Sequence, residues 1–272
     1  MIYPCEVYDI IKKYYKIVSE KYETVGVFLF GSQNYRCQTD ASDVDAKAIV
    51  IPPVQNLLMD YNRIHETIKT DYGEITIFDI RDIHKDITKQ NINFVEILFT
   101  EYMYINPKYK NLYQPLIENR ERIARLDTHQ CIRALYGNLM NKYDKVFKAV
   151  PSNELIVNTF GYDNKALADI YRYADFMERY MNNTLYAQCL VPENLTSILH
   201  MKTHHELAIC EVRTMLETLK LQADSLKEVY LGTTEHIIDT ETVDMINNVT
   251  LDCLKAYLKD RSHFETWPIL LY

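Results

Sequence analysis

A chain of 272 residues, 47% hydrophobic and 25% charged, is long enough to bury a sizeable core and too apolar to stay disordered. Its formal net charge of -8 argues against broad, non-specific binding along a nucleic-acid backbone, which needs a basic surface. No run reaches the ~20 apolar residues that span a bilayer, and the opening "MIYPCEVYDIIKKYYK" lacks the order of a signal peptide, so a cytoplasmic protein without a membrane partner is expected.

In chain order, Val7, Ile10, Ile11, Tyr14 and Val18 fall at helical spacing, predicting an amphipathic helix over 6–22. "VGVFLF" (25–30) reads as a buried strand ending at Gly31, and "VDAKAIVI" (44–51) as a second strand stopped by Pro52-Pro53. "RIHETIKT" and "EITIFDI", either side of "DYG", predict a hairpin. From Arg81 two short helical patterns follow. After "INPKYK" helices are expected near 110–120, 128–148, 163–182, 205–220 and 238–260. The simplest organisation is an α+β unit over 1–112 followed by an all-helical unit over 113–272. Cys5, Cys37, Cys131, Cys189, Cys210 and Cys253 are scattered with no CxxC pair and read as reduced, mostly buried thiols.

The stretch "FLFGSQNYRCQTDASDVDAKAIVIPP" carries the chemistry. Strand alternation puts Asp43, Asp45 and Lys47 on one face, with Val44 and Ala46 on the other. Two partly buried carboxylates so close disfavour each other's ionisation unless a cation joins them, and Mg²⁺ takes carboxylate oxygens while leaving positions for phosphates. Lys47 is the rival counter-charge. Gly31-Ser32, after the first strand, offers N–H groups and a hydroxyl to phosphate oxygens. A two-metal phosphoryl-transfer site needs one more carboxylate. Of Asp71, Glu74, Asp79 and Asp82, Glu74 is favoured, because Ile75 and Ile77 point away from it; Asp79 reads better as an N-cap.

"FGSQNYRCQTDASDVDAKAIVIPP" resembles the GS-and-spaced-DxD signature of the polymerase-β-like nucleotidyltransferase superfamily. The chain looks closest to the RNA-repair-pathway polymerase-β-like nucleotidyltransferases of bacteria and phages. "GEITIFDIRDIHKDI", "NINFVEILFTEYMYINP" and "FGYDNKALADIYRY" carry the narrower likeness, which spans roughly 25–175. The resemblance implies a small mixed-sheet nucleotidyltransferase domain followed by a helical domain. It also implies Gly31 and Ser32 on the triphosphate, and Asp43, Asp45 and Glu74 on Mg²⁺ or Mn²⁺. Lys165 would touch the phosphates or the acceptor, with Arg172 along the same helix. Four positions depart from the pattern: Arg36 and Ala48 replace glycines, Glu74 an aspartate, and Asp169 a histidine. Arg36 and Lys47 lie where they either assist the triphosphate or stand in for the metal.

The activity implied is transfer of a nucleoside monophosphate from an NTP to an acceptor hydroxyl on an RNA end, a protein or a small molecule, with release of pyrophosphate. A degenerate nucleotide-binding or antitoxin-like module is the alternative. Other readings stay open residue by residue. Glu74 also reads as a solvated strand carboxylate, and Lys165 and Arg172 as surface charges on an amphipathic helix. Tyr162 is a base-stacking or a core residue, one of 22 tyrosines. Glu96 reads as a buried helper of the fold. His200, His204 and His205 invite a zinc reading, but one i,i+4 pair is a weak signal.

Overall fold

The computed structural model describes residues 4–260. The chain is α+β, a five-stranded mixed sheet followed by a helical region. The sheet half runs α1 (Pro4–Ser19), β1 (Glu23–Leu29), β2 (Ala46–Ile51), α2 (Val54–Leu58), β3 (His65–Thr70), β4 (Gly73–Asp79), α3 (Ile83–Thr88), α4 (Ile92–Val95) and β5 (Met103–Ile105). Then come α5 (Lys110–Glu118), α6 (Arg120–Ile123), α7 (Thr128–Tyr143), α8 (Glu154–Phe160), α9 (Asn164–Met181), α10 (Tyr186–Leu190), α11 (Leu195–Thr203), α12 (Ile209–Thr233) and α13 (Thr240–Leu258).

Strand order is β3-β4-β2-β1-β5. β1 pairs antiparallel with β2, while β2 and β4 run parallel, so the end of β1 and the starts of β2 and β4 meet at one edge of the sheet. That edge is where Gly31-Ser32 leaves β1 and Asp43-Val44-Asp45 leads into β2. β5, too short and irregular to read from the sequence, adds to β1 through Gly26–Phe28.

Alternation sorts the strands onto two cores. Val27, Leu29, Ala46, Ala48, Val50, Ile75 and Ile77 face α1, whose Val7, Ile10, Ile11, Tyr14 and Val18 are all buried against them. Phe28, Ile49 and Ile51 face the other way, under Ile83 and Ile87 of α3, Phe94 of α4, Tyr113 and Leu116 of α5, and Ile246, Val249 and Cys253 of α13. A third core joins α7, α9, α10 and α12 and buries Tyr162, Phe176, Tyr180 and Tyr186. Cys37, Cys131, Cys189 and Cys253 are buried free thiols and Cys210 is exposed; the Cys5 side chain lies outside the described residues. Among the described residues no helix is long and apolar enough to cross a membrane.

The expected helices over 110–120, 128–148, 163–182 and 238–260 are present with ends shifted by up to five residues. The one expected at 205–220 starts at Ile209 and runs on to Thr233, past Ala223, the last residue of its buried stripe. α2, α8, α10 and α11 were too short for a periodic signal.

Gly73 shapes the edge that matters. Its φ is +150°, and a Cβ there would meet the carbonyl oxygen of Val44 at 2.6 Å. The hairpin turn therefore lies directly on the backbone between the two aspartates, and Val44 N–H donates to Tyr72 O at 2.7 Å. Gly73→Ala is expected to lower stability by at least ~1 kcal/mol in a urea titration. Gly137→Ala, mid-helix in α7 with open space around the added methyl, is expected to raise it by ~0.5–1 kcal/mol. Equal effects would remove the steric account.

Candidate active-site cleft between the sheet edge and the helical region

The turn after β1 is fixed from inside. Gly31 has φ +95°, and its N–H donates to Glu96 Oε1 at 2.8 Å. Asn34 N–H closes the turn on Gly31 O, Asn34 Nδ2 donates to Leu29 O, and Cys37 N–H reaches Ser32 O. Gly31 N–H is thus committed to Glu96, a correction to the expectation that both residues offer N–H groups to a phosphate. The Ser32 hydroxyl has no hydrogen-bond partner among the described residues.

Glu96 is 1% exposed in the 3₁₀ turn after α4 and acts as the buried helper expected of it. Burial pushes its carboxyl well above the ordinary range, while Lys47, the Gly31 N–H and Arg172 pull it down. Lys47, 6% exposed, lies under the Phe30 ring with Nζ 3.1 Å from the centroid. Burial lowers its pKa, and Glu96 and then Asp45 oppose that shift. Lys47 therefore sits beneath the turn as counter-charge to the core and is absent from the cleft lining.

Asp43 is exposed and Asp45 half-buried, both on the wall of a cavity of about 460 Å³ that Gly31 and Ser32 also line. Val44 between them is clamped: its N–H goes to Tyr72 O, and its carbonyl accepts Tyr14 Oη at 2.9 Å. Asp45 Oδ1 accepts the Glu74 N–H at 3.0 Å. Burial raises the Asp45 carboxyl above its ordinary value, the Glu74 N–H lowers it, and the Asp43 and Glu74 charges raise it further. The register Ala46↔Ile75 puts Glu74 beside Asp45 on the same sheet face, as expected. Its carboxylate, however, is exposed, lies 3.6 Å from Lys69 Nζ on β3, and is not among the groups lining the cleft.

The helical region supplies the opposite wall. Lys165, in the first turn of α9 after the Asp163 N-cap, lines the cleft and forms no ion pair among the described residues. Arg172 is 3% exposed, so the surface-charge reading fails. Its guanidinium lies 4.0 Å over Tyr35 and 4.3 Å over Tyr173, its Nε is buried without a hydrogen-bond partner, and Asp169 Oδ1 is 3.8 Å away. Lys142 Nζ closes on Asp169 Oδ2 at 2.6 Å. Burial alone would raise the Asp169 carboxyl, but Arg172 and Lys142 overcome it and hold the group low. Lys202 Nζ crosses from α11 to Cys37 O at 2.6 Å, tying the helical region to the loop after the Gly31-Ser32 turn.

Lys142, Lys202 and Asn164 line this cleft and went unseen in the sequence, for they belong to no motif and reach it only through the packing of α7, α9 and α11. Arg36 lies elsewhere. It is exposed at φ +57°, on a separate groove with Gln33, Gln38 and Arg120, so it does not face the candidate phosphate position. The left-handed φ is one that glycine adopts without strain, so the arginine there carries a conformational cost that a glycine would not. Tyr162 is buried in the helical core and Asp79 caps the turn at Arg81 N–H, the second reading of each. Ala48, the other glycine departure, is buried against α1.

Around the cleft, Lys142, Lys165, Arg172 and Lys202 stand against Asp43, Asp45 and Asp169, four cations to three carboxylates, in a chain of net charge -8. With Asp169 held by Lys142 and Arg172 and Lys202 donating to Cys37 O, Lys165 is the cation left towards Asp45. The aspartates, an unpartnered hydroxyl and two lysines can together hold a divalent cation and a polyphosphate.

Asp45→Asn tests the repulsion. A carboxyl raised in the fold costs stability at neutral pH, and the cost disappears as pH falls through that raised value towards the ordinary 3.8. Without divalent cations the variant is expected to melt higher than the parent at pH 7, with the difference vanishing near pH 3.8; a lower melting temperature at pH 7 would contradict the account. Glu96→Ala leaves the Gly31 N–H and Lys47 without their anion and is expected to cost about 1–3 kcal/mol. Glu96→Gln keeps the acceptor and is expected to cost less, both read from urea midpoints.

No family model matches the chain, and no curated protein sequence does. Among solved structures, one similar protein is described as a nucleotidyltransferase-like protein from Exiguobacterium sibiricum 255-15, 12% identical, covering 82% of this chain and 78% of that one at a TM-score of 0.34. At that score no residue role and no activity is transferred from it.

Proposed function

We propose that the protein is a metal-dependent nucleotidyltransferase of the polymerase-β-like type, moving a nucleoside monophosphate from an NTP to an acceptor hydroxyl. One observation carries the reading: Ser32, Asp43, Asp45 and the unpaired Lys165 line a single cleft, although Lys165 lies 120 residues beyond Asp45 in the chain. The donor set fits a hard divalent cation, since Asp45 is pushed up by burial and by its two carboxylate neighbours. Asp43 and Asp45 would hold Mg²⁺ or Mn²⁺, which when bound supplies charge neutralisation at the triphosphate and a lowered pKa at the acceptor hydroxyl.

The residues divide the remaining work. The Ser32 hydroxyl donates to a phosphate oxygen at the turn that Glu96 shapes. Lys165 and Lys202 offset the charge building on the leaving pyrophosphate. The acceptor oxygen bonds to the α-phosphorus as the bond from that phosphorus to the bridging oxygen breaks, and the hydroxyl proton passes to a carboxylate. Glu74 is assigned that proton and the third metal-binding position, which requires its carboxylate to leave Lys69. The acceptor is an RNA end, a protein or a small molecule, with the helical wall of the cleft supplying the selection.

The ion pair between Glu74 and Lys69 favours a second reading, a module that binds nucleotide without chemistry. Incubation with each α-labelled NTP, Mg²⁺ or Mn²⁺ and fractionated cell extract separates the two. Label is expected in an RNA, protein or metabolite fraction, and Asp43→Ala with Asp45→Ala is expected to lower transfer at least ~10²-fold. Undiminished transfer by the double variant would sink the mechanism, and calorimetric NTP binding with no labelled fraction would favour the binding module.

A further inference from the structure

On the far side of α11 from the cleft, three side chains converge that the proposed chemistry does not use. His200, His204 and Glu206 each present one ligand atom, all within 4.8 Å of one another, and all three residues are exposed. The imidazoles are stacked with centroids 4.2 Å apart and planes 10° from parallel, so one ring turns out of the stack for both in-plane lone pairs to reach one ion. Glu206 Oε2 lies 3.7 Å from His200 Nε2. His205, which the sequence grouped with them, turns the other way and stacks on Phe160 at 3.7 Å.

The hydrogen bonds around His204 decide which ring nitrogen is offered. Its Nδ1 lies 3.1 Å from the His200 carbonyl, which only accepts, and 2.9 Å from Thr203 Oγ1. Thr203 Oγ1 spends its own proton on Leu199 O at 2.8 Å, so it too accepts. Nδ1 therefore carries the proton, leaving a lone pair on Nε2, the arrangement by which outer partners orient a metal-bound histidine. The group also sits at the C-terminal end of α11, where the helix dipole favours a cation.

We propose that His200, His204 and Glu206 form a second metal site, separate from the carboxylate site and selective for Zn²⁺-like ions. Two imidazole nitrogens and one carboxylate oxygen match Zn²⁺ in donor type, whereas Mg²⁺ prefers oxygen alone. Three protein ligands leave a fourth position to water, so the ion is exchangeable. His204 and Glu206 lie in the link to α12, and Lys202 and Thr203 of the same turn line the cleft. The ion therefore staples the end of α11 to that link and braces the turn that carries Lys202.

The test is Zn²⁺ titration of the full chain against a chromophoric chelator, after removal of bound metal. One tight equivalent is expected for the parent and for Asp43→Asn with Asp45→Asn, which separates this site from the carboxylate site. His200→Ala with His204→Ala is expected to weaken that equivalent by more than the ~10–100-fold typical of losing an outer partner, with an unchanged circular dichroism spectrum. Should that pair fail to fold, Glu206→Gln reads the same site and is expected to weaken binding. Excess Mg²⁺ is expected to leave the Zn²⁺ in place. Absence of a tight equivalent in the parent, its survival in the histidine and Glu206 variants, or displacement by Mg²⁺ overturns the assignment.

Discussion

Two like charges one residue apart must be held still, and much of the sheet edge serves that constraint. Val44, between Asp43 and Asp45, is fully buried and tied through both backbone polar groups, by Tyr72 of the hairpin turn and Tyr14 of α1. Tyr14 Oη in turn accepts from Thr70 Oγ1. The first helix, the hairpin and the start of β2 therefore share one small knot of hydrogen bonds. Gly73 makes room for it, and the parallel pairing of β2 with β4 brings Glu74 to its side. A flexible segment would let the carboxylates swing apart; this one keeps them on one wall of the cleft.

Burial acts in opposite ways on the carboxylates of this region. Asp45 is raised because its neighbours are burial and other anions, whereas Asp169 is held low because Lys142 and Arg172 surround it. Asp169 is thereby a settled structural anion that orients two cations, and Asp45 an unsettled one that gains from an added cation. Glu96 is a third case, deeper than either, with its charge turned towards the Gly31 N–H and Lys47. Sorting by environment explains why, of the seven charged side chains lining the cleft, Lys165, Lys202, Asp43 and Asp45 form no ion pair among the described residues.

What could be read from the sequence followed distance along the chain. Gly31-Ser32, the aspartate pair and the strands carrying them lie within a short span, and alternation alone placed Asp45 and Lys47 on one face. Glu74 was reachable because Ile75 and Ile77 fix its direction. Lys142 and Lys202 stand more than 90 residues from Asp43, and only the stacking of α7, α9 and α11 brings them to it. Arg36 was misplaced for a local reason, since a left-handed φ turns its side chain out and no periodicity reports backbone handedness. Lys47 lay on the expected face, but a face does not say whether solvent or a phenyl ring covers it.

The packing of α13 has a consequence for the order of events as the chain is made. Its Ile246, Val249, Cys253 and Tyr257 complete the layer over Phe28, Ile49 and Ile51, and Arg122 of α6 grips Asp239 at its start. Roughly 200 residues separate α13 from the strands and 117 separate Arg122 from Asp239. The strands bearing the aspartates and the α3–α5 layer that covers them are therefore synthesised early, yet the flank of that layer which α13 packs on stays uncovered until α13 has emerged. During that interval the uncovered apolar surface is open to association with other chains, the exposure that makes partly folded intermediates prone to aggregate.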